Sequence, residues 1–254
     1  MLRQRQRVDA QPAFVLHAYP FRETSLIIDV FSRDFGRLAL LARGARRPHS
    51  ALRGLLLSFQ PVELGWAGKG EVRTLMKAEW QGGQPLLSGK ALFYGYYLNE
   101  LLINLLPRED AYARLFPIYA ETLRRFADDL QESDLRRFER ALLQELGYGL
   151  ALECDAQGAP LDAPARYGYE LERGWVRLAD ERKTGGVAAD SPAPVSRVSA
   201  LVVRGQTLID LAREDFSNPH SLAEAKQLMR ALITHYSGGK NLATRKIFKE
   251  LNEL

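Results

Sequence analysis

Between residues 13 and 80 the apolar residues fall in five short β-type runs: AFVLHAY (13–19), SLIIDVF (25–31), GRLALLAR (36–43), PVELGW (61–66) and VRTLMKAEW (72–80). The joints between them, FRET, SRDFG and AGKGE, are polar or carry glycine, which is turn chemistry. Five strands in so short a span, with no long apolar helix between the first three, predict a small closed or nearly closed barrel, with an OB-fold as the leading candidate. ALRGLLLSF (51–59) reads as the short helix that plugs such a barrel.

The third run leads into the most one-sided charge in the chain. From Gly36 to Gly54 there are five arginines, Arg37, Arg43, Arg46, Arg47 and Arg53, and no acid. Alternation puts Arg37, Ala39, Leu41 and Arg43 on one side of a strand and Leu38, Leu40 and Ala42 on the other. Gly44 and Pro48 then end the strand, leaving arginines on a loop where guanidinium groups can meet phosphates bidentately. A solvated charge run is the alternative. Arg73 and Lys77 share parity on the last strand and extend the basic character. Among Phe14, Tyr19, Phe21, Phe31, Phe35, Phe59, Trp66 and Trp80, most are expected in the core. Phe21, Phe35 and Trp66 sit at turns and are the candidates for stacking on bases.

Charge also divides the chain. Residues 1–80 hold 13 Lys and Arg against 7 Asp and Glu, a net of +6, while the whole chain is +4, so residues 81–254 carry −2. A basic first third ahead of a slightly acidic remainder predicts two domains, 1–82 and 83–254, the first meeting a polyanion. The single Cys154 excludes an intramolecular disulfide and a multi-cysteine zinc site. No apolar run approaches the roughly 18 residues of a membrane span, the densest being LLINLL at 101–106, so a soluble intracellular protein with no membrane partner is expected.

From Gly89 the pattern is helical. KALFYGYYLNELLINLLP (90–107) reads as a buried helix ended by Pro107, and residues 110–129 as a second, with Pro117 kinking it or marking its first turn. Ser133 caps a third, DLRRFERALLQELG, stopped by Gly147, on which Arg136, Arg137 and Arg140 cluster away from the apolar stripe. That cluster reads either as a solvated face or as a docking site for an acidic peptide. Residues 150–195 are irregular around one hairpin at 167–179. Helices are expected again at 197–212, from a Ser221–Glu224 capping box, and in NLATRKIFKELNEL, with Arg245, Lys246 and Lys249 exposed.

Catalytic patterns are lacking. His17, His49, His220 and His235 are scattered, GWAGKGE (65–71) and SGGKN (237–241) fail the phosphate-loop pattern, and no carboxylate cluster suits two-metal cleavage. No catalytic residue, metal or cofactor is assigned. An RNA-binding OB module and a metal-dependent nuclease with dispersed ligands stay open as alternatives.

FRETSLIIDVF (21–31), GRLALLARGAR (36–46), LFYGYYLNELL (92–102), LRRFERALLQELGYG (135–149) and GGKNLATRKIF (238–248) resemble, in order, segments of the RecO family of bacterial recombination mediators. The resemblance implies an N-terminal OB-fold barrel followed by a helical domain, in all an α+β multidomain protein. It implies a cytoplasmic, nucleoid-associated protein that uses no nucleotide, binds single- and double-stranded DNA and anneals complementary strands. With RecR it would help load RecA on DNA covered by single-stranded-DNA-binding protein (SSB), with a functional link to RecF. It also implies that the acidic, Phe-terminated SSB tail docks on the helical domain at Arg136; Arg137 and Arg140 join it by helix geometry. Some members hold zinc through four cysteines after Gly-Tyr-Gly; with Cys154 alone, this chain matches the zinc-free form, and 150–195 takes the place of the zinc finger.

Overall fold

Strand β1 (Arg7–Phe21) pairs with β2 (Ser25–Ser32) in two registers, Phe14 opposite Phe31 and Val15 opposite Val30, then His17 opposite Asp29, so that Leu16 is a bulge. One extra residue reverses which side chains face inward. Ala13 and Val15 point into a core with Ile28 and Val30; beyond the bulge Ala18 takes the inner side, and His17 and Tyr19 turn outward.

The structure, a computed structural model, describes residues 7–170, 173–179, 197–240 and 242–252. It divides into two compact units, Met1–Leu135 with Asn241–Leu254, and Arg136–Lys240. In the first, β1, β2, β3 (Gly36–Ala42), β5 (Val72–Trp80) and β4 (Pro61–Ala67) close a barrel in the order β1-β2-β3-β5-β4, with β3 and β5 parallel. This is the OB arrangement. Leu38, Leu40, Val62, Leu64, Trp66 and Leu75 fill it, as strand alternation requires. The plug at 51–59 is a single turn, α1 (Leu52–Leu55), whose Leu52 packs on that core together with Leu56.

Helices α2 (Gly89–Leu105), α3 (Leu115–Asp128) and α7 (Ala243–Asn252) belong to the same unit as the barrel. Leu87 and Phe59 lie so close to α2 that a Cβ on Gly95 would stand 2.7 Å and 2.9 Å from them. Phe116 and Tyr119 of α3 cover Phe14 and Phe31, with ring centres 5.1–6.0 Å apart. Pro117 is the third residue of α3, where its missing N–H costs nothing. The Glu100 carboxylate accepts the amides of Ala243 and Thr244 at the start of α7, at 2.7 and 3.0 Å.

The second unit holds most of α4 (Glu132–Glu145), then a sheet of β7 (Gly174–Arg177), β6 (Arg166–Glu170) and β8 (Arg197–Arg204), in that order, and helices α5 (Gly205–Arg213) and α6 (Pro219–Tyr236). The expected hairpin is β6–β7. The helix expected at 197–212 begins only at Gly205: RVSALVVR is rich in valine, and antiparallel pairing with β6 makes it a strand. Nor does α6 start at Ser221. Asn218 caps it through the amide of His220, with Pro219 at the first position, while the Ser221 hydroxyl donates to Asp210 and Glu224 accepts from Thr207. Residues 1–6, 171–172, 180–196, 241 and 253–254, which include Pro192, Pro194 and the end of SGGKN, lie outside the described residues.

Candidate nucleic-acid interface

The outer face of β1-β2-β3 divides into two halves. At one end Phe14 and Phe31 are covered by α3. Toward the other end, cross-strand rows run His17–Asp29–Ala39 and Tyr19–Ile27–Leu41, then Phe21 opposite Ser25, beside the end of β3 at Arg43. Toward Tyr19 this half is open: Tyr19 is 43% exposed, His17 is exposed, and Phe21, Ile27 and Leu41 are half-buried, while Asp29 and Ala39 are buried, Asp29 beside Arg37 and Arg108. The His17 and Tyr19 rings lie 4.3 Å apart.

Arg43, at the end of β3, and Arg46, bonded to the β1–β2 turn, border this face. Arg43, Arg46, Arg47 and Arg53 are exposed, and among the described residues no carboxylate pairs with them. Their loop is anchored by backbone: the Arg46 amide donates to the Thr24 carbonyl at 2.8 Å and its guanidinium to the Arg22 carbonyl at 3.2 Å. Arg22, also exposed, lies over the Phe21 ring at 5.2 Å. Unpaired guanidinium groups beside exposed rings form a surface suited to a polyanion carrying flat, stackable groups.

The other three basic positions named from sequence are placed differently. Arg37 is half-buried; its Nε donates to the Leu106 carbonyl at 3.1 Å, and the Glu109 amide donates to the Arg37 carbonyl at 2.8 Å. Arg73 is tied to Glu109 at 2.7 Å, and Lys77 to Glu79 at 2.8 Å. Segment 106–110 thus lies over the rim of β3 and β5, where it brings in Arg108, 3.1 Å from the buried Asp29 carboxylate. Burial and the nearby Arg108 push the Arg37 guanidinium below its usual value, against the pull of Asp29 and Tyr19. Burial and Asp29 raise the Tyr19 phenol above its ordinary value, against Arg108 and Arg37, so the ring is neutral at physiological pH.

Two of the three stacking candidates are not available. Trp66 is fully buried in the barrel core, and Phe35 packs edge-on against it at 5.4 Å. Only the bulge at Leu16, invisible in the alternation, brings Tyr19 out in their stead.

In the second unit the arginine cluster separates. Arg136 is 5% exposed and makes a buried ion pair with Glu139 at 3.0 Å, so the solvated-face reading of the cluster does not hold for it. One reason is α6, whose Lys226 carbonyl its guanidinium reaches at 3.4 Å. Arg140 meets the Glu214 carboxylate at 2.6 Å, and Arg137 lies 3.8 Å from it and over the Phe216 ring at 5.4 Å. A cleft of about 330 Å³ beside Arg140 is lined by Leu143, Gln144, Leu150, Leu152 and Ala212 among others. Among the described residues no three His, Cys, Asp or Glu side chains gather as a metal site, and no helix is long and apolar enough to cross a membrane.

Barrel order and contents define an OB-fold protein with an attached helical unit. Residues 8–83 match the family model of the recombination protein O N-terminal domain, and residues 86–246 that of its C-terminal domain. The DNA repair protein RecO of Dechloromonas aromatica (strain RCB) is 60% identical over 254 residues, covering 98% of this chain and 99% of its own. That of Aromatoleum aromaticum is 51% identical over 253 residues, covering 99% of each, and that of Azoarcus sp. (strain BH72) 52% over 252 residues, covering 98% and 99%. The chain belongs to the RecO family of DNA repair proteins. The two family models meet between residues 83 and 86, near the end of the barrel, whereas contacts divide the chain at Leu135.

Proposed function

We propose that this chain is a recombination mediator that binds single- and double-stranded DNA, anneals complementary strands, and with RecR promotes RecA loading on SSB-coated single strands. The observation that carries the DNA reading is the exposed, carboxylate-free set Arg43, Arg46, Arg47 and Arg53, of which Arg43 and Arg46 stand beside the open barrel face. Cations in that position neutralise phosphates of two strands at once and remove the repulsion that slows pairing. Arg37, Arg73 and Lys77, already engaged with carbonyls or carboxylates, contribute to the local potential more than to direct contact. No covalent step is needed.

Arg137 and Arg140 support the second part of the reading, a site for the acidic, Phe-ended tail of SSB, with Arg136 positioning the helix from beneath. Tethering to coated DNA raises the local concentration of the barrel there. The test uses separate charge reversals in the full chain. Arg43, Arg46 and Arg47 changed together to Glu abolish annealing of complementary oligonucleotides and leave tail-peptide binding intact; Arg137→Glu with Arg140→Glu does the reverse. Loss of both activities in either folded variant contradicts the separation of sites. Matched DNA and RNA titrations exclude the RNA-module alternative if RNA shows no advantage, since RNA readers use the 2′-hydroxyl.

A further inference from the structure

We propose that Tyr19, backed by His17, is the platform on which an unpaired nucleobase stacks when the barrel holds nucleic acid. This rests on the nucleic-acid reading above and adds a specific contact to it. The Leu16 bulge turns both rings outward, 4.3 Å apart, onto the half of the β1-β2-β3 face that α3 leaves open. Ile27 and Leu41, the cross-strand neighbours of Tyr19, give the ring an apolar floor. Arg108 stands at one side of this face, and Arg43 and Arg46 stand toward the other. Cations within reach of an exposed neutral ring are complementary to phosphates that flank a base. A duplex keeps its bases stacked on one another and cannot present one to the ring, so the platform distinguishes unpaired strand from duplex.

The experiment compares full-length wild type, Tyr19→Ala and Tyr19→Phe binding to labelled oligo-dT and to a duplex of equal length. Tyr19→Ala weakens oligo-dT binding about tenfold, with the duplex affinity and the salt slope unchanged, and Tyr19→Phe binds as wild type. In Tyr19→Trp oligo-dT quenches more indole emission than it does in wild type, where Trp66, Trp80 and Trp175 set the background, and an abasic chain of the same length gives no such excess. Equal oligo-dT affinity for Tyr19→Ala and wild type, or equal losses on both nucleic acids, overturns the platform while the arginine reading stands. Absence of that excess does the same. Absence of salt-dependent wild-type binding removes both.

A separate observation lies in the second unit. Glu214, Asp215 and Phe216 form an acidic turn ending in an aromatic ring, and it is seated on Arg140 and Arg137 through the Glu214 carboxylate, the Glu214 carbonyl at 3.3 Å and the Phe216 ring. We infer that this turn is a built-in occupant that an incoming acidic, aromatic-ended peptide displaces, which rests on reading Arg137 and Arg140 as a tail site. Glu214 has φ +54, a left-handed conformation, so Glu214→Gly removes the carboxylate without backbone cost. Full-length Glu214→Gly/Phe216→Ala binds a labelled acidic peptide ending in Phe several-fold more tightly than wild type. Asp215→Asn, which changes net charge equally, leaves affinity as it was. Unchanged or weaker binding by the double variant overturns the inference while the tail site stands; no binding by either protein removes both.

Discussion

The Asn99 side chain on α2 donates its Nδ2 to the carbonyl of Leu16, the bulged residue of β1, at 2.8 Å. Its Oδ1 accepts the Tyr119 hydroxyl at 2.5 Å. A bulge leaves backbone groups out of the ladder, and a buried carbonyl without a donor is costly. Asn99 therefore holds the kink that turns Tyr19 outward. Asn99→Leu is expected to destabilise the protein by about 2 kcal/mol or more, measured by urea unfolding. A loss under about 0.5 kcal/mol would show that the bulge holds itself.

Gly36 opens β3 with φ +63, and a Cβ there would stand 1.7 Å from the Asp110 carbonyl oxygen. Backbone cannot yield as a side-chain tip does. Gly36→Ala therefore displaces segment 106–110, frees Arg37 and Arg73 from Leu106 and Glu109, and lowers stability by about 2 kcal/mol or more. Thermal unfolding checks the first effect. Faster amide exchange at Glu109, whose N–H donates to Arg37, checks the second.

Arg136 and Glu139 form a buried pair, so removing one partner differs from removing both. Arg136→Ala leaves the 1%-exposed Glu139 without its guanidinium and costs about 3–5 kcal/mol. Arg136→Met with Glu139→Leu recovers most of that. Denaturant midpoints for the two variants decide it, and equal loss in both would contradict a charge-burial origin. Any tail-binding defect of Arg136→Ala has to be read against this loss of fold.

Hydrogen bonds from Arg124 and then Arg125 hold the Glu121 carboxyl at about 2, below its ordinary 4.5. A depressed carboxylate contributes stability above its unfolded value, and that contribution fades as pH falls through the folded one. The Glu121 side chain is 43% exposed, so solvent screening keeps the amount under about 1 kcal/mol. A carboxyl-carbon NMR titration is expected to find its midpoint near 2, rising toward 4.5 in Arg124→Ala/Arg125→Ala.

Alternation made the barrel legible: Leu38, Leu40 and Ala42 point inward as read, and the arginines after Gly44 lie on an exposed loop. What local pattern cannot carry was missed. The Leu16 bulge reverses parity without altering composition, so alternation alone does not bring Tyr19 to the surface. Trp66 lies within β4 rather than at a turn, next to a register shift of its own at Gly65, and is wholly buried. Segment 106–110 engages Arg37 and Arg73 from some 35–70 residues away. Helix geometry groups Arg136 with Arg137 and Arg140 but sees only its own helix, and the Lys226 carbonyl that Arg136 meets is 90 residues on. Strand β8 resembled a helix because its pairing partner, β6, precedes it by a long insertion.

Contact between the exposed loop arginines and phosphates is expected to set the salt dependence of binding. Its most direct measurement is the affinity of full-length protein for oligo-dT across a salt series, compared with Arg43→Ala/Arg46→Ala/Arg47→Ala. Each phosphate contact on a single strand adds about 0.7 to the log–log slope, so losing three makes the slope shallower by about 2. A variant whose affinity and slope equal those of wild type would contradict the account.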